Sequence, residues 1–146
     1  MERGVPRIVV DTNVFVAAGF HRRGAAAQLL DLVRRGALRM VWSEETRRET
    51  RLVLEKIPPL SWTAFSELFH DRDRHQDELR PERFPQIPDP DDRKFAALAY
   101  VSGAILVSQD EDLLAQPERL EILVLSPREL LGELAKLSDG STRRGS

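Results

Sequence analysis

Short β-branched runs alternate along the chain with stretches whose apolar positions recur every three or four residues. Arg7-Ile8-Val9-Val10 is nearly continuous in apolar character, the mark of a strand buried on both faces. Residues 25–35 show helical spacing at Leu29, Leu30 and Val33, and Gly36 stands at a plausible C′ position. A strand over 38–42 and a helix over 44–57 follow, the helix ended by Pro58-Pro59. A further helix is predicted over 61–74, with Phe65, Leu68 and Phe69 on one side. Residues 76–90 are polar and hold Pro81, Pro85, Pro88 and Pro90, so they read as a long, restrained loop.

The second half repeats the alternation. A helix is predicted over 91–102, a strand over 104–108, a helical turn over 112–115 and a strand over 121–125. Ser126-Pro127-Arg128-Glu129 opens a last helix, with Ser126 as N-cap and Glu129 as its reciprocal partner. The tail from Ser138 is small and polar, so the domain spans residues 1–137 and residues 138–146 form a disordered tail. No internal repeat is visible. The pattern is that of one α/β domain with a central, mostly parallel sheet flanked by α-helices.

A chain of 146 residues can bury a core of its own. The absence of cysteine excludes disulfide scaffolds, thiolate metal sites and cysteine nucleophiles. No apolar stretch reaches the ~18 residues of a membrane span, and M-E-R-G-V-P does not read as a signal peptide, so a soluble, cytoplasmic protein is expected. The net charge of -2 argues against holding nucleic acid by bulk charge. That average hides a split: residues 1–56 carry 11 basic and 7 acidic groups, residues 57–146 carry 11 and 17.

Several acids fall where a solvated surface charge would be odd. Asp11 directly follows the first strand, and Asp110 follows the strand that ends at Ser108. In an open parallel sheet, ligands bind at the carboxyl ends of the strands. Two carboxylates at one such edge repel unless a cation or a proton lies between them. Glu49 shares a helical stripe with Thr46, Leu52 and Val53, so it needs a partner, which Arg48 could supply. In Asp89-Pro90-Asp91-Asp92, both Asp91 and Asp92 lie at the margins of the Phe95/Leu98/Ala99 stripe, and the wheel does not choose between them. Capping alone could explain each acid singly. Jointly they point to a divalent hard cation, Mg²⁺ or Mn²⁺, in a site for phosphodiester hydrolysis.

These residues carry a resemblance. D-T-N-V at 11–14, S-x₅-E-x₃-V-L at 43–54, D-P-D-D-x-K-F-x₃-A at 89–99 and S-Q-D-x-D-L-L at 108–114 resemble the PIN domain. More narrowly they are similar to its toxin branch, related to the VapC-type toxins of toxin–antitoxin pairs. The resemblance runs from about Arg7 to Leu131. It implies a metal-dependent ribonuclease whose acidic quartet is Asp11, Glu49, Asp92 and Asp110, catalytic and metal-binding at once. The D-x-x-F-x-x-x-A spacing favours Asp92 over Asp91, and Asp112 would assist as an outer ligand. Thr12 and Asn13 would hydrogen-bond and orient Asp11. Ser108 stands where the family often has Thr and keeps the hydroxyl. The resemblance also implies an RNA substrate, a homodimer and a cognate antitoxin protein that blocks the pocket.

Other readings are weaker. A haloacid-dehalogenase-type, metal-dependent phosphatase needs a second acid two residues after the first, where this chain has Asn13, and a receiver domain wants an early acidic pair. A non-catalytic PIN-like module that binds RNA or protein is the stronger rival, because a fold alone does not establish activity. Arg22 and Arg23, placed in the loop after Asp11, are expected to contact substrate phosphate. His70 and His75 read as surface histidines; Trp42 and Trp62 read as packing residues, with base stacking the alternative role.

Overall fold

The computed structural model describes residues 4–115 and 120–144, with side chains through residue 137. Its regular elements are β1 (Arg7–Val10), α1 (Thr12–Phe20), α2 (Ala25–Arg34), β2 (Arg39–Met40), α3 (Glu44–Glu55), α4 (Pro90–Ser102), β3 (Ile105–Val107), α5 (Glu111–Leu114), β4 (Val124–Leu125) and α6 (Pro127–Arg144). The strands form one sheet in the order β2-β1-β3-β4, and these pairings are all parallel. Ile8 stands opposite Met40 and Ile105, Val10 opposite Val107, and Leu106 opposite Val124. The α/β class with a flanked parallel sheet is therefore the architecture of this chain.

Alternation along the strands divides the interior into two cores. Ile8, Val10, Met40 and Val107 pack with α1, α2 and Leu130 of α6. Val9, Val41, Leu106 and Val124 point the other way and pack with α4, Leu79, Phe84 and Ile87. A strand with both faces covered has no polar side, which is why its sequence reads as an unbroken apolar run. Residues 76–90 are pinned by those three apolar side chains, and Arg93 of α4 donates from Nε to the Ile87 carbonyl at 2.9 Å.

Two expectations change. Residues 61–74 form three separate 3₁₀ turns, at Trp62–Ala64, Ser66–Leu68 and Asp71–Asp73, instead of one helix. Ser61 and Thr63 share a 2.7 Å hydroxyl contact and Ser66 Oγ donates to the Thr63 carbonyl, local bonds that compete with the helical ladder. Trp62 also meets Phe69, and Phe65 and Phe69 both meet Phe15, a ring cluster on which the turns pack. Conversely, Thr12–Phe20, read from sequence as a loop, is helix α1. It is apolar on nearly every side because α2, α3 and the sheet enclose it, so it carries no amphipathic period.

Gly36 adopts φ +83° after α2, and Gly103 adopts φ +68° after α4, conformations that favour glycine at helix ends. The α6 backbone continues past Ser138 to Arg144; the side chains from 138 onward, and residues 145–146 altogether, lie outside the described residues. Among the described residues no helix is long and apolar enough to cross a membrane.

Candidate active site

In this strand order the chain leaves β1 toward one side of the sheet and leaves β3 toward the other. The crevice of a doubly wound sheet opens at such a switch point. Asp11 follows β1 there and is 2% exposed. It stands at the N-cap position of α1 but makes no side-chain capping bond, so capping does not explain it. Ser108, fully buried after β3, donates from Oγ to Asp11 Oδ2 at 2.8 Å. The same Oγ accepts from the Asp110 backbone N–H at 3.0 Å. One hydroxyl thus links both strand-end acids. Asp110 Oδ1 also caps α5 by accepting from the Asp112 N–H at 2.9 Å.

Helix α4 supplies the next acids. Asp89 caps it, accepting from the Asp91 N–H at 2.9 Å, and Pro90 fills the first turn. Asp91 is exposed, whereas Asp92 is half-buried and close enough to Asp11, Asp89 and Asp110 to feel their charges. Across the crevice, α3 begins with a reciprocal capping box between Ser43 and Thr46. That register turns Thr46, Thr50 and Leu54 into the core and Glu49 and Val53 into the pocket; Leu52, expected on the same stripe, is exposed. The partner of Glu49 is Lys94 of α4, whose Nζ lies 3.2 Å from Oε1, not Arg48. The resulting cavity, about 260 Å³, is lined by Asp11, Asn13, Glu49, Asp89, Asp91 and Asp92 above an apolar floor that includes Phe95.

Burial raises the Asp11 carboxyl to about 6, with Asp110 and Asp89 adding repulsion against the lowering effect of the Ser108 bond. Asp92 is pushed up to about 7, by burial first and then by the charges of Asp11, Asp89 and Asp110. The pocket is therefore short of positive charge at neutral pH. Its donors are all hard carboxylate oxygens, the chemistry that suits Mg²⁺ or Mn²⁺. Among the described residues, no three acidic, histidine or cysteine side chains stand together as a ready-made metal cage. The fit is of the open kind, in which one or two carboxylates hold a cation that keeps most of its waters.

Some predicted site residues stand elsewhere. The Thr12 hydroxyl meets Thr50 Oγ1 at 3.1 Å and ties α1 to α3. Asn13 Oδ1 accepts from the Gln109 N–H at 3.3 Å, so it braces the β3 loop instead of orienting Asp11. Asp112 is exposed on α5. Arg22 and Arg23 lie beyond the far end of α1, about 13 Å along the helix from Asp11. Arg22 lines a different cleft, between α1, α2 and residues 59–65. Trp42 and Trp62 are buried, with the Arg47 guanidinium over both rings, which is a packing role. His70 and His75 are half-buried rather than surface residues. Asp89 and Lys94 are the site residues not singled out from sequence, although both belong to the D-P-D-D-x-K-F run.

Comparison with known proteins agrees with the fold. The PIN domain family matches residues 7–112. No curated protein matches the sequence. Among solved structures, FitAcB from Neisseria gonorrhoeae superposes with a TM-score of 0.55 at 16% identity, covering 82% of this chain and 97% of that one. FitAB bound to an IR36 DNA fragment gives 0.55 at 17% identity, covering 82% and 94%. PAE2754 from Pyrobaculum aerophilum gives 0.57 at 21% identity, covering 90% and 98%. At these identities the likeness is one of fold.

Proposed function

We propose, from the premise that this chain belongs to the PIN domain family, that it is a metal-dependent endoribonuclease and the toxin component of a toxin–antitoxin pair. The observation that carries the reading is the convergence of Asp11, Asp92 and Asp110 at the switch point, with Asp11 raised by burial and by the charges of Asp110 and Asp89, and Asp92 by burial and by the charges of Asp11, Asp89 and Asp110. Evolutionarily neutral capping would not require carboxylates that destabilise each other. Asp11, Glu49, Asp92 and Asp110 are the proposed catalytic and cation-holding residues. When bound, Mg²⁺ or Mn²⁺ would supply an activated water and counter-charge for a phosphodiester undergoing hydrolysis.

The protein's own part is positional. Ser108 fixes the Asp11 carboxylate and, through the Asp110 N–H, the loop that carries Asp110. Phe95 and Val53 keep the floor dry. Arg22 and Arg23, at their distance, would touch RNA phosphates away from the scissile bond. The toxin role, the homodimer and the antitoxin rest on the likeness of the four acidic motifs to the toxin branch, and the resemblance to DNA-bound FitAB suits a complex that associates with nucleic acid.

Incubation of the purified chain with single-stranded and structured RNA tests the reading. Cleavage should require Mg²⁺ or Mn²⁺ and fall at least about 100-fold in Asp11→Asn. Equal cleavage by the variant removes the activity from this site. The Glu49–Lys94 ion pair favours one second reading, a non-catalytic PIN-like binding module, which RNA binding without cleavage under any divalent cation would establish.

A further inference from the structure

Of the pocket carboxylates, Glu49 alone is ion-paired among the described residues. Its partner Lys94 sits two positions after Asp92 on α4, while Glu49 projects from α3, so the bridge spans the mouth between the two helices. The side chains are only 23% and 21% exposed, so solvent screens the pair less than a surface bridge. Asp11, Asp92 and Asp110 have no such ion pair among the described residues. Lys94 therefore pairs with the pocket acid that comes from α3, and among the described residues no three acids form a cage.

We infer that Lys94 is an internal competitor for the divalent cation at Glu49, a positioning residue that sets how tightly the pocket takes metal. The inference rests on the metal-dependent reading above. A carboxylate oxygen already 3.2 Å from an ammonium attracts a second cation weakly, because the two positive charges repel at that distance. Binding through Glu49 requires the flexible lysine stem to swing away, and its compact ammonium is then free to face an incoming phosphate. Cation binding is thereby made costlier in the empty pocket than in one holding a phosphodiester.

Mn²⁺ titration followed by the electron paramagnetic resonance of the free ion measures this without any turnover. Five proteins suffice: wild type, Lys94→Gln, Glu49→Gln, the double variant and Lys94→Arg as the charge-retaining control, with circular dichroism to verify folding. Lys94→Gln should bind Mn²⁺ about 3- to 10-fold more tightly than wild type at low ionic strength. Lys94→Arg should stay near wild type, and adding Lys94→Gln to Glu49→Gln should gain little. An equal gain in the Glu49→Gln background would mean that Lys94 acts only through the general field, and overturns competition at Glu49. Wild-type binding with no change in Lys94→Gln overturns the inference alone. No Mn²⁺ binding by any variant overturns both it and the metal-dependent function.

Discussion

At the residue scale the site depends on one hydroxyl and one raised carboxyl. Ser108 Oγ donates to Asp11 and accepts from Asp110 N–H in a fully buried position. Ser108→Ala leaves an acceptor and a donor without that partner, which should lower stability by about 1–3 kcal/mol in chemical denaturation. It should also raise the Asp11 proton affinity further, moving the acid limb of any cleavage profile to higher pH. Asp11 shows the sign of the linkage. Its carboxyl titrates at 3.8 unfolded and near 6 folded, so the folded state holds the proton longer. Stability from this group is fully present below pH 3.8 and lost as pH rises to about 6, by at most about 3 kcal/mol. Metal-free Asp11→Asn should therefore be more stable than wild type at pH 7.5 and nearly equal to it at pH 3.5. A thermal melt at both pH values decides this; a less stable variant at pH 7.5 would contradict the repulsion ascribed to the pocket.

At the scale of elements, the positions of the acids follow from helix starts. Ser43 and Thr46 satisfy each other's backbone N–H groups, and this box sets where α3 begins and hence where Glu49 points. Ser43→Ala should cost about 1 kcal/mol of stability, read as a lowered denaturation midpoint with an unchanged slope. The same box is not obvious in S-E-E-T, because Thr replaces the usual acidic partner, whereas S-P-R-E at 126–129 is plain in sequence and forms both bonds at 2.9 and 3.0 Å. Helix α1 gave no periodic signal because it is enclosed, and the 61–74 segment gave a false one because its aromatic spacing serves a ring cluster. Both departures arise where tertiary packing overrides local pattern.

At the scale of the whole molecule, charge is distributed by topology. Asp89, Asp91 and Asp92 of the acidic second half line one pocket with Asp11 and Glu49 of the basic first third. Arginines collect elsewhere: Arg7, Arg39, Arg72 and Arg74 line a polar cleft outside β2, with Asp73 bridged to Arg39 at 2.6 Å. A divalent cation binding only the folded state stabilises it by mass action, about 2.7 kcal/mol at 100 times the dissociation constant. Mg²⁺ or Mn²⁺ should accordingly raise the melting temperature at pH 7.5 and have no effect at pH 3.5, where Asp11 and Asp92 are protonated. A shift of equal size at both pH values would place the cation outside this pocket.

The alternating β-branched runs and helical stripes by themselves determined the parallel α/β class, since a strand covered on both faces has no other way to read. The spacing of Asp11, Glu49, Asp92 and Asp110 relative to those elements was also legible, because strand ends and helix starts are local features. Only the tertiary structure decided which acids meet: Asp92 half-buried beside the charges of Asp11 and Asp110, Asp91 exposed, and Glu49 bridged by Lys94 from another helix. It also decided that Arg22 stands in a separate cleft, since the intervening residues are helix and not loop. Pairing across elements depends on distances through space, and for residues 45 positions apart such as Glu49 and Lys94 no one-dimensional pattern fixes them.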